Sequence, residues 1–247
     1  MAATQITVER QGRVQIIRMK RPDHGNRISQ QMAEEMVAAL EDARQSSGVG
    51  ACVLTGHGDT FCLGGDYHGA GPTSVGRLAF ARAFIDLAQA MARLGKPIVA
   101  AINGNAHAGG FSLVVACDMA VAADDATLGL PEAARGLFPF LALAIVKDAL
   151  PKKVLFDLVY GARLMDATEA RHLHLVNEVT AGGDVLARAI AIAEQASAYN
   201  PTIVRLGRDL YYNMRNMSPA QALDESSFAL LAALGAEDEA QTTPPSS

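Results

Sequence analysis

Three short apolar segments alternate with helix-forming stretches, and this alternation constrains the fold more than any other feature of the chain. The segments are "GACVLTG", "KPIVAAING" and "DMAVAAD", at residues 50–56, 96–104 and 118–124. Apolar runs of this length, bounded by turn residues, are typical of strands buried on both faces. Helices between such strands are typical of right-handed crossovers in a parallel sheet. The sequence therefore predicts an α/β fold.

The two ends of the chain carry different patterns. The segment "QITVERQGRVQIIRMK" alternates apolar and polar residues around Gln11 and Gly12, which predicts a β-hairpin. Ser29 is expected to cap a helix with an apolar stripe on one face. From about residue 140 onward the helical period dominates, so we predict an α/β front followed by an all-helical back. The acidic, Pro- and Ser-rich residues 236–247 predict a disordered tail.

Composition excludes several classes of function. The 247 residues carry a net charge of -5, only 5% of them are aromatic, and no basic stripe is present, which argues against nucleic acid as a partner. No metal-ligand spacing, signal peptide or membrane-length apolar run appears, so we expect no bound metal and no membrane partner. Cys52, Cys62 and Cys117 are few, odd in number and set in apolar sequence, as expected of reduced thiols in a cytoplasmic protein.

Two glycine-bearing turns are candidates for a functional site. The first buried segment is followed by "TGHGDTFCLGGDYHG" and the second by "NGNAHAGGFS". Gly109 is predicted to lie near the start of a helix, where free N–H groups and the positive end of the helix dipole suit an anion. Close packing of strand against helix explains the glycines equally well at this point. The nucleotide-binding patterns Gly-x-x-x-x-Gly-Lys-Ser/Thr and Gly-x-Gly-x-x-Gly are absent.

Four ordered segments resemble the crotonase family, also called the enoyl-CoA hydratase/isomerase superfamily. They are "RPDHGNRIS", "VLTGHGDTFCLGGD", "KPIVAAINGNAHAGGFSLVVACDMAVAADDATLGLPEAARGLFP" and "LVYGARLMDATEARHLHLVNEV". The resemblance implies a spiral of strand-strand-helix turns over residues 1–195 and a helical trimerisation region over 196–235. It also implies a homotrimer or a dimer of trimers acting on an acyl-CoA thioester. Coenzyme A is then part of the substrate, and no cofactor is bound permanently.

The resemblance also implies a set of catalytic groups. In the family, two main-chain N–H groups hold the thioester oxygen as it becomes an enolate, and the matching residues here are Leu63 and Gly109. Family hydratases share proton transfer between two glutamates; the second matches Glu132, whereas Ser112 stands at the position of the first. A serine is a poor base without a partner. The resemblance therefore favours double-bond isomerisation with Glu132 as the proton shuttle.

Other readings stay open at this stage. Ser112 could position water for a hydratase, or the chain could bind acyl-CoA without turnover. A thioester hydrolase built on Ser112, His107 and Asp118 is disfavoured, because the Gly-x-Ser-x-Gly elbow is missing. The residues expected to contact substrate or coenzyme A are Arg27, Gly64, Asp66, Tyr67 and Gly110.

Two further features accompany these candidates. Asp66 more plausibly caps a turn than reacts, and His68 and His107 could face the acyl pocket or hydrogen-bond loop carbonyls. After "EAARGLFP" the chain reads "FLALAIVKDAL", where the family usually has a glycine-rich segment and an Arg-Leu pair. An apolar helix there predicts an altered acyl-chain site.

Overall fold

The computed structural model describes the backbone of residues 3–242 and the side chains of residues 3–235. The strands are β1 (Ile6–Gln11), β2 (Val14–Met19), β3 (Ala51–Gly56), β4 (Thr60–Cys62), β5 (Ile98–Ile102), β6 (Asn105–His107), β7 (Met119–Ala123), β8 (Thr127–Gly129), β9 (Leu164–Asp166) and β10 (Glu178–Thr180). The helices are α1 (Gln30–Gln45), α2 (Ser74–Ala92), α3 (Gly109–Ala116), α4 (Phe140–Val146), α5 (Lys152–Tyr160), α6 (Ala167–His172), α7 (Val185–Ser197), α8 (Pro201–Asn213) and α9 (Pro219–Thr242).

A six-stranded sheet holds the core, in the order β1-β2-β3-β5-β7-β10. The predicted hairpin is confirmed, since β1 and β2 pair antiparallel from Ile6 opposite Met19 to Gln11 opposite Val14. The remaining neighbours, from β2 to β10, pair parallel. Every residue of β3 and β5 is buried, as expected for strands covered on both faces. The α/β prediction is therefore confirmed.

A second sheet, in the order β4-β6-β8-β9, brings the two glycine turns together. Strands β4, β6 and β8 follow closely on β3, β5 and β7, so each turn of the chain adds one strand to each sheet. Within the second sheet β4 pairs parallel with β6, placing Cys62 opposite Ala106, and β6 pairs parallel with β8, placing His107 opposite Gly129. The segments that follow β4, β6 and β8 consequently leave the sheet at the same end, where the carboxyl ends of these parallel strands lie.

The prediction that the chain is all-helical after residue 140 is wrong. Strand β9 closes the second sheet against β8, and β10 extends the first sheet parallel to β7. Helix α7 packs against β5 and β3. Each missed strand has three residues, which is too short for a period of two to be distinguished from the helical residues around it. The chain therefore returns to the core sheet before it enters its last two helices.

A buried arginine fastens the C-terminal helices to the core. Arg208 on α8 is 9% exposed and donates from Nε to the Asp118 carboxylate at 2.9 Å. Its other nitrogens donate to the carbonyl oxygens of Ala92 and Met91, each at 2.8 Å, at the end of α2. The guanidinium also lies 4.8 Å from the centre of the Tyr212 ring. One side chain thus connects three elements.

The C-terminal segment continues as α9 through Thr242, which lies within the segment 236–247 whose composition predicts disorder. Residues 243–247 of that segment lie outside the described residues. Among the helices that the structure describes, none combines the length and the apolar character needed to span a bilayer.

Candidate active site

Helix α3 begins at Gly109, as the sequence predicts, and its first N–H groups point away from the helix. The preceding residue, Ala108, has φ +55° and ψ -124°, a conformation that costs energy for a residue with a side chain. The Ala108 N–H donates to the Gly129 carbonyl at 2.8 Å, and the Ala108 carbonyl accepts from the Ser112 N–H at 3.1 Å. Ser112 is therefore the first donor to the α-helical ladder, and Gly109 precedes it without an intrahelical acceptor.

The expectation that the Leu63 N–H joins the Gly109 N–H in an oxyanion hole is wrong. The Leu63 N–H donates to the Gly25 carbonyl at 2.9 Å, so it is already engaged within the protein. The Leu63 carbonyl in turn accepts from the Arg27 guanidinium at 2.6 Å. The loop before α1 thus binds both the N–H and the carbonyl group of Leu63. One of the Arg27 donors is used within this turn and is not available to a ligand.

The N–H group left open in this turn is that of Gly65. The Gly64 carbonyl accepts from the Ile28 N–H at 2.8 Å, and the Asp66 N–H donates to the Ile28 carbonyl at 2.8 Å. In such a parallel bridge, the N–H of the residue between these two bonds points away from the partner strand. No group within the described residues accepts a hydrogen bond from the Gly65 N–H.

The two open N–H groups lie side by side because glycines let the two turns approach closely. A methyl group placed on Gly109 would lie 3.5 Å from the Gly65 nitrogen, and one placed on Gly64 would lie 3.4 Å from the Gly109 nitrogen. Gly64 has φ +101°, and a methyl group on Gly110 would overlap the Cys62 carbonyl oxygen. Gly64 and Gly110 are therefore explained by backbone conformation and packing rather than by contact with a ligand.

Glu132 supplies a carboxylate that is both buried and incompletely bound. It lies in the 3-10 helix Pro131–Arg135 that follows β8, and it is 6% exposed. Its Oε2 atom has no hydrogen-bond partner among the described residues. Burial raises the pKa of Glu132 above its ordinary value, and a hydrogen bond from its own backbone and the positive charge of Arg135 oppose this only in part. A carboxylate in this state is suited to accept a proton.

Tyr67 lies beside Gly65 and within electrostatic range of Glu132. A methyl group on Gly65 would lie 3.2 Å from the Tyr67 ring, and the ring packs edge-on against Phe80 with 5.2 Å between centroids. Burial raises the pKa of Tyr67, and the negative charge of Glu132 raises it further. Tyr67 and Glu132 are thus close enough to interact electrostatically, although Tyr67 remains half exposed.

The three groups considered for a hydrolase do not come together. The Ser112 side chain is fully buried, and its hydroxyl donates to the Gly109 carbonyl at 2.7 Å. The Nε2 atom of His107 lies 2.8 Å from the hydroxyl of Thr127, and Asp118 is paired with the arginine of α8. Burial lowers the pKa of His107, so its ring is neutral near pH 7. No Ser-His-Asp relay is formed by these residues.

Asp66 shapes the first turn instead of facing a substrate, which corrects its assignment as a contact residue. Its Oδ2 atom accepts from Arg21 at 2.8 Å, and its Oδ1 atom accepts from the Gly69 N–H at 3.0 Å, so the capping role is confirmed. Arg21 also donates to the Arg27 carbonyl at 2.6 Å. Sequence reasoning missed Arg21, because its role depends on an aspartate far along the chain.

An apolar cleft of about 840 Å³ lies between α2, α3, α4 and α8, at the C-terminal end of α3. Phe84 of α2 lines it, and a methyl group on Gly109 would lie 3.4 Å from the Phe84 ring. The segment "FLALAIVKDAL", which differs from the usual family pattern, contributes Leu141, Ala144 and Ile145 to the same cleft. The segment in which the chain differs from the family pattern thus lines the same cleft as Phe84, whose ring lies beside Gly109.

Comparison with known proteins identifies the class. The family model described as "Enoyl-CoA hydratase/isomerase" matches residues 9–242. A Thermus thermophilus protein provisionally named an enoyl-CoA hydratase is 35% identical over 210 residues, covering 83% of each chain. The enoyl-CoA hydratase EchA19 of Mycobacterium tuberculosis is 32% identical over 204 residues, covering 80% of this chain and 76% of its own. The crystal structure of an enoyl-CoA hydratase from Bacillus anthracis superposes with a TM-score of 0.89 at 27% identity, over 94% of this chain and 91% of that one.

The fold is therefore that of the crotonase class of acyl-CoA enzymes. The chain belongs to the enoyl-CoA hydratase/isomerase family, as the four ordered segments predict, and it is an enzyme of that family.

Proposed function

We propose that this enzyme moves the double bond of a 3-enoyl-CoA thioester to the 2,3 position. The thioester carbonyl oxygen accepts hydrogen bonds from the Gly65 and Gly109 N–H groups. Glu132 removes a proton from the α-carbon, which leaves a dienolate whose negative charge rests on that oxygen. The protonated Glu132 then returns the proton to the γ-carbon, so that no atom is gained or lost overall. Fixed donors aimed at developing charge are worth roughly 3 to 4 kcal/mol each in oxyanion holes.

The observation that carries the proposal is the state of Glu132. Its Oε2 atom is buried and unpartnered within the described chain, whereas the hydroxyl of Ser112 is bound to its own helix. One available carboxylate is sufficient for a proton shift between two carbons. Hydration needs in addition a group that orients and deprotonates water, and Ser112 is committed elsewhere.

Hydration is the second candidate, because the relatives compared above are named enoyl-CoA hydratases. In that reaction Glu132 performs both proton steps, and Ser112 exchanges its bond to Gly109 for one to water. The family membership supports both reactions, so the distinction depends on an assay.

The deciding experiment incubates the purified enzyme with 3-enoyl-CoA and 2-enoyl-CoA thioesters in deuterated water. We expect double-bond movement with deuterium at carbon, detected by NMR and mass, and no gain of water. Glu132→Gln should abolish this exchange, whereas Ser112→Ala should retain it. If the enzyme instead adds water to the 2-enoyl-CoA thioester, and Ser112→Ala lowers the rate of that addition, the enzyme is a hydratase. Release of free coenzyme A would indicate a hydrolase, and binding without any turnover would indicate a non-catalytic module.

The oxyanion assignment can be tested separately from the choice of reaction. Replacing a single backbone amide by an ester removes one N–H and leaves the side chains unchanged. An ester at Gly65 should lower kcat by roughly 10²- to 10³-fold, as loss of one oxyanion donor does elsewhere. The matched ester at Leu63 removes the bond to Gly25 and should lower stability more than kcat. The reverse ranking of the two esters would restore Leu63 as the donor.

We also propose that the protein assembles through its C-terminal helices, as the family resemblance implies for a trimer or a dimer of trimers. Helix α9 exposes a set of large apolar side chains. An exposed apolar patch of this kind marks a surface that another protein surface covers. These side chains are Leu223, Phe228, Leu230, Leu231 and Leu234. Light scattering on the native chain and on a Leu231→Glu variant tests this. A monomeric native chain would contradict it.

A further inference from the structure

A second cleft, of about 470 Å³, lies away from the glycine turns. Its walls include Val49 and Gly50, which precede β3, and the segment 94–96, which precedes β5. The start of α8 closes it. The cleft therefore lies at the amino ends of the parallel strands, whereas the segments that carry the candidate catalytic groups follow β4, β6 and β8.

Basic side chains surround this cleft. Arg44, Lys96 and Arg205 line it directly. Arg13 joins them, because its Nε atom would lie 3.2 Å from a methyl group on Gly50, a residue of the cleft wall. Arg10 lies beside the same loop. In a chain with a net charge of -5, this is a local concentration of positive charge.

The acidic residues nearby balance only part of that charge. Arg44 pairs with Glu41 at 2.6 Å, and Arg205 lies 3.6 Å from Asp209. The Arg13 side chain has neither a hydrogen bond nor an ion pair within the part of the chain that the structure describes.

Two more cations of the cluster are bound to neutral groups only. Lys96 donates to the carbonyl oxygens of Ala43 and Ser46, and Arg10 donates to the Ser46 hydroxyl at 3.0 Å. Arg10, Arg13 and Lys96 thus pair with no acidic group among the residues that the structure describes.

The cations act on one another at short range. Burial lowers the pKa of Lys96, and the positive charges of Arg13, Arg10 and Arg205 lower it further. Mutual repulsion of this kind weakens the folded state unless an anion lies among the charges. The cleft volume falls within the range of small-ligand sites.

An aromatic ring completes the surface. Tyr199 lines the cleft and is 62% exposed, although a side chain of this size usually buries more of its surface in a folded protein. A planar base can stack on such a ring while phosphate oxygens pair with the arginines beside it. We propose that this cleft binds a nucleoside di- or triphosphate, with its phosphates at Arg13 and Arg205 and its base on Tyr199.

Calorimetric titration with ADP and with inorganic pyrophosphate tests the proposal. We expect ADP to bind, and Arg13→Ala and Arg205→Ala each to weaken it about tenfold or more. Arg82→Ala is the matched control and should leave ADP binding unchanged. It removes an equal charge from an exposed position on α2 that has no ion pair with any described residue. Tyr199→Leu should weaken the binding of ADP but not the binding of pyrophosphate. None of these variants touches the proposed catalytic groups, so turnover should stay constant in all four.

Coenzyme A also carries an adenosine phosphate, so its site must be distinguished from this cleft. ADP binding should persist in the presence of saturating coenzyme A. Displacement of ADP by coenzyme A, with no effect of Arg13→Ala or Arg205→Ala, would overturn the proposal. Absence of ADP binding would also overturn it, as would equal binding of ADP and pyrophosphate that Tyr199→Leu leaves unchanged. These outcomes are independent of which reaction the enzyme catalyses.

Discussion

Replacing Glu132 by glutamine should inactivate the enzyme and stabilise it, with a dependence on pH that follows from burial. Burial raises the pKa of Glu132 in the folded chain, whereas the unfolded chain has the ordinary value. Between those two pKa values the folded state binds more protons, so its stability falls as pH rises through the folded pKa. Glutamine carries no charge to bury. The stability advantage of Glu132→Gln should therefore be absent at about pH 4 and present at about pH 8.

The magnitude follows from the surroundings of the carboxylate. Glu132 is 6% exposed and one of its oxygens is unpartnered in the described structure. An unsatisfied buried polar group costs about 1–3 kcal/mol, and more when it is charged, so a neutral amide, which is also unpartnered there, should recover at most about that amount. At the lower end of that range, Glu132→Gln should raise Tm by about 2–4 °C at neutral or higher pH for a chain of this length. In the same variant kcat should fall by roughly 10²- to 10⁴-fold or more, because the proposed base is lost.

Thermal unfolding of both proteins at the two pH values, with turnover measured at the higher one, checks the reasoning. Glu132→Asp is the control, since it keeps the charge and should gain no stability at high pH. A glutamine variant that is less stable than the native chain at about pH 8 would mean that the carboxylate is satisfied in the folded state. Unchanged turnover would remove Glu132 from the mechanism.

The packing of the site and of the C-terminal helices gives three further predictions. Gly110→Ala should destabilise the chain by about 1–3 kcal/mol or more, because its methyl group overlaps a carbonyl oxygen, whereas Gly183→Ala, which meets open space, should not. Arg208→Ala should cost about 3–5 kcal/mol in urea unfolding by leaving a charge unpaired, whereas the exposed pair of Arg205 is worth under about 0.5 kcal/mol. Asp66→Asn should lower kcat several-fold with little change in Tm, because it loosens the turn that carries the Gly65 N–H; unchanged steady-state kinetics would contradict this.

Sequence periodicity predicts those parts of the fold whose patterns are long. The fully apolar runs of β3 and β5, the alternation around Gly12 and the cap at Ser29 each reflect local physics, and the structure has all of them; the Ser29 hydroxyl accepts from the Met32 N–H at 3.0 Å. Strands β9 and β10 exist because their edges complete hydrogen bonds of β8 and β7. These strands therefore depend on tertiary contacts, and a pattern of three residues is too short to predict them.

The candidate site divides in the same way. Gly109 could be placed at a helix start from sequence, and Glu132 from the family pattern, since both depend on local segments. Sequence alone could not decide whether the Leu63 or the Gly65 N–H serves as the oxyanion donor, because both N–H groups belong to the same turn. Only the positions of Gly25 and Ile28, which come from a distant loop, determine which N–H is already used. Hydrogen-bond accounting across the fold therefore corrects what the motif suggested.

In the proposed isomerisation a single proton shuttle must reach two carbons of the substrate, and the state of Glu132 fits that demand. A carboxylate fixed by several donors would point in one direction and would have a lowered pKa, which makes it a weaker base. Here the Oε2 atom has no partner among the described residues, and burial raises the pKa. The same oxygen can therefore take the α-proton and release it at the γ-carbon with little reorganisation. The family resemblance places Ser112 at the position of the first hydratase glutamate, and its hydroxyl bonds to the Gly109 carbonyl. This bond steadies the first turn of α3 without adding a charge that would compete with the proposed dienolate.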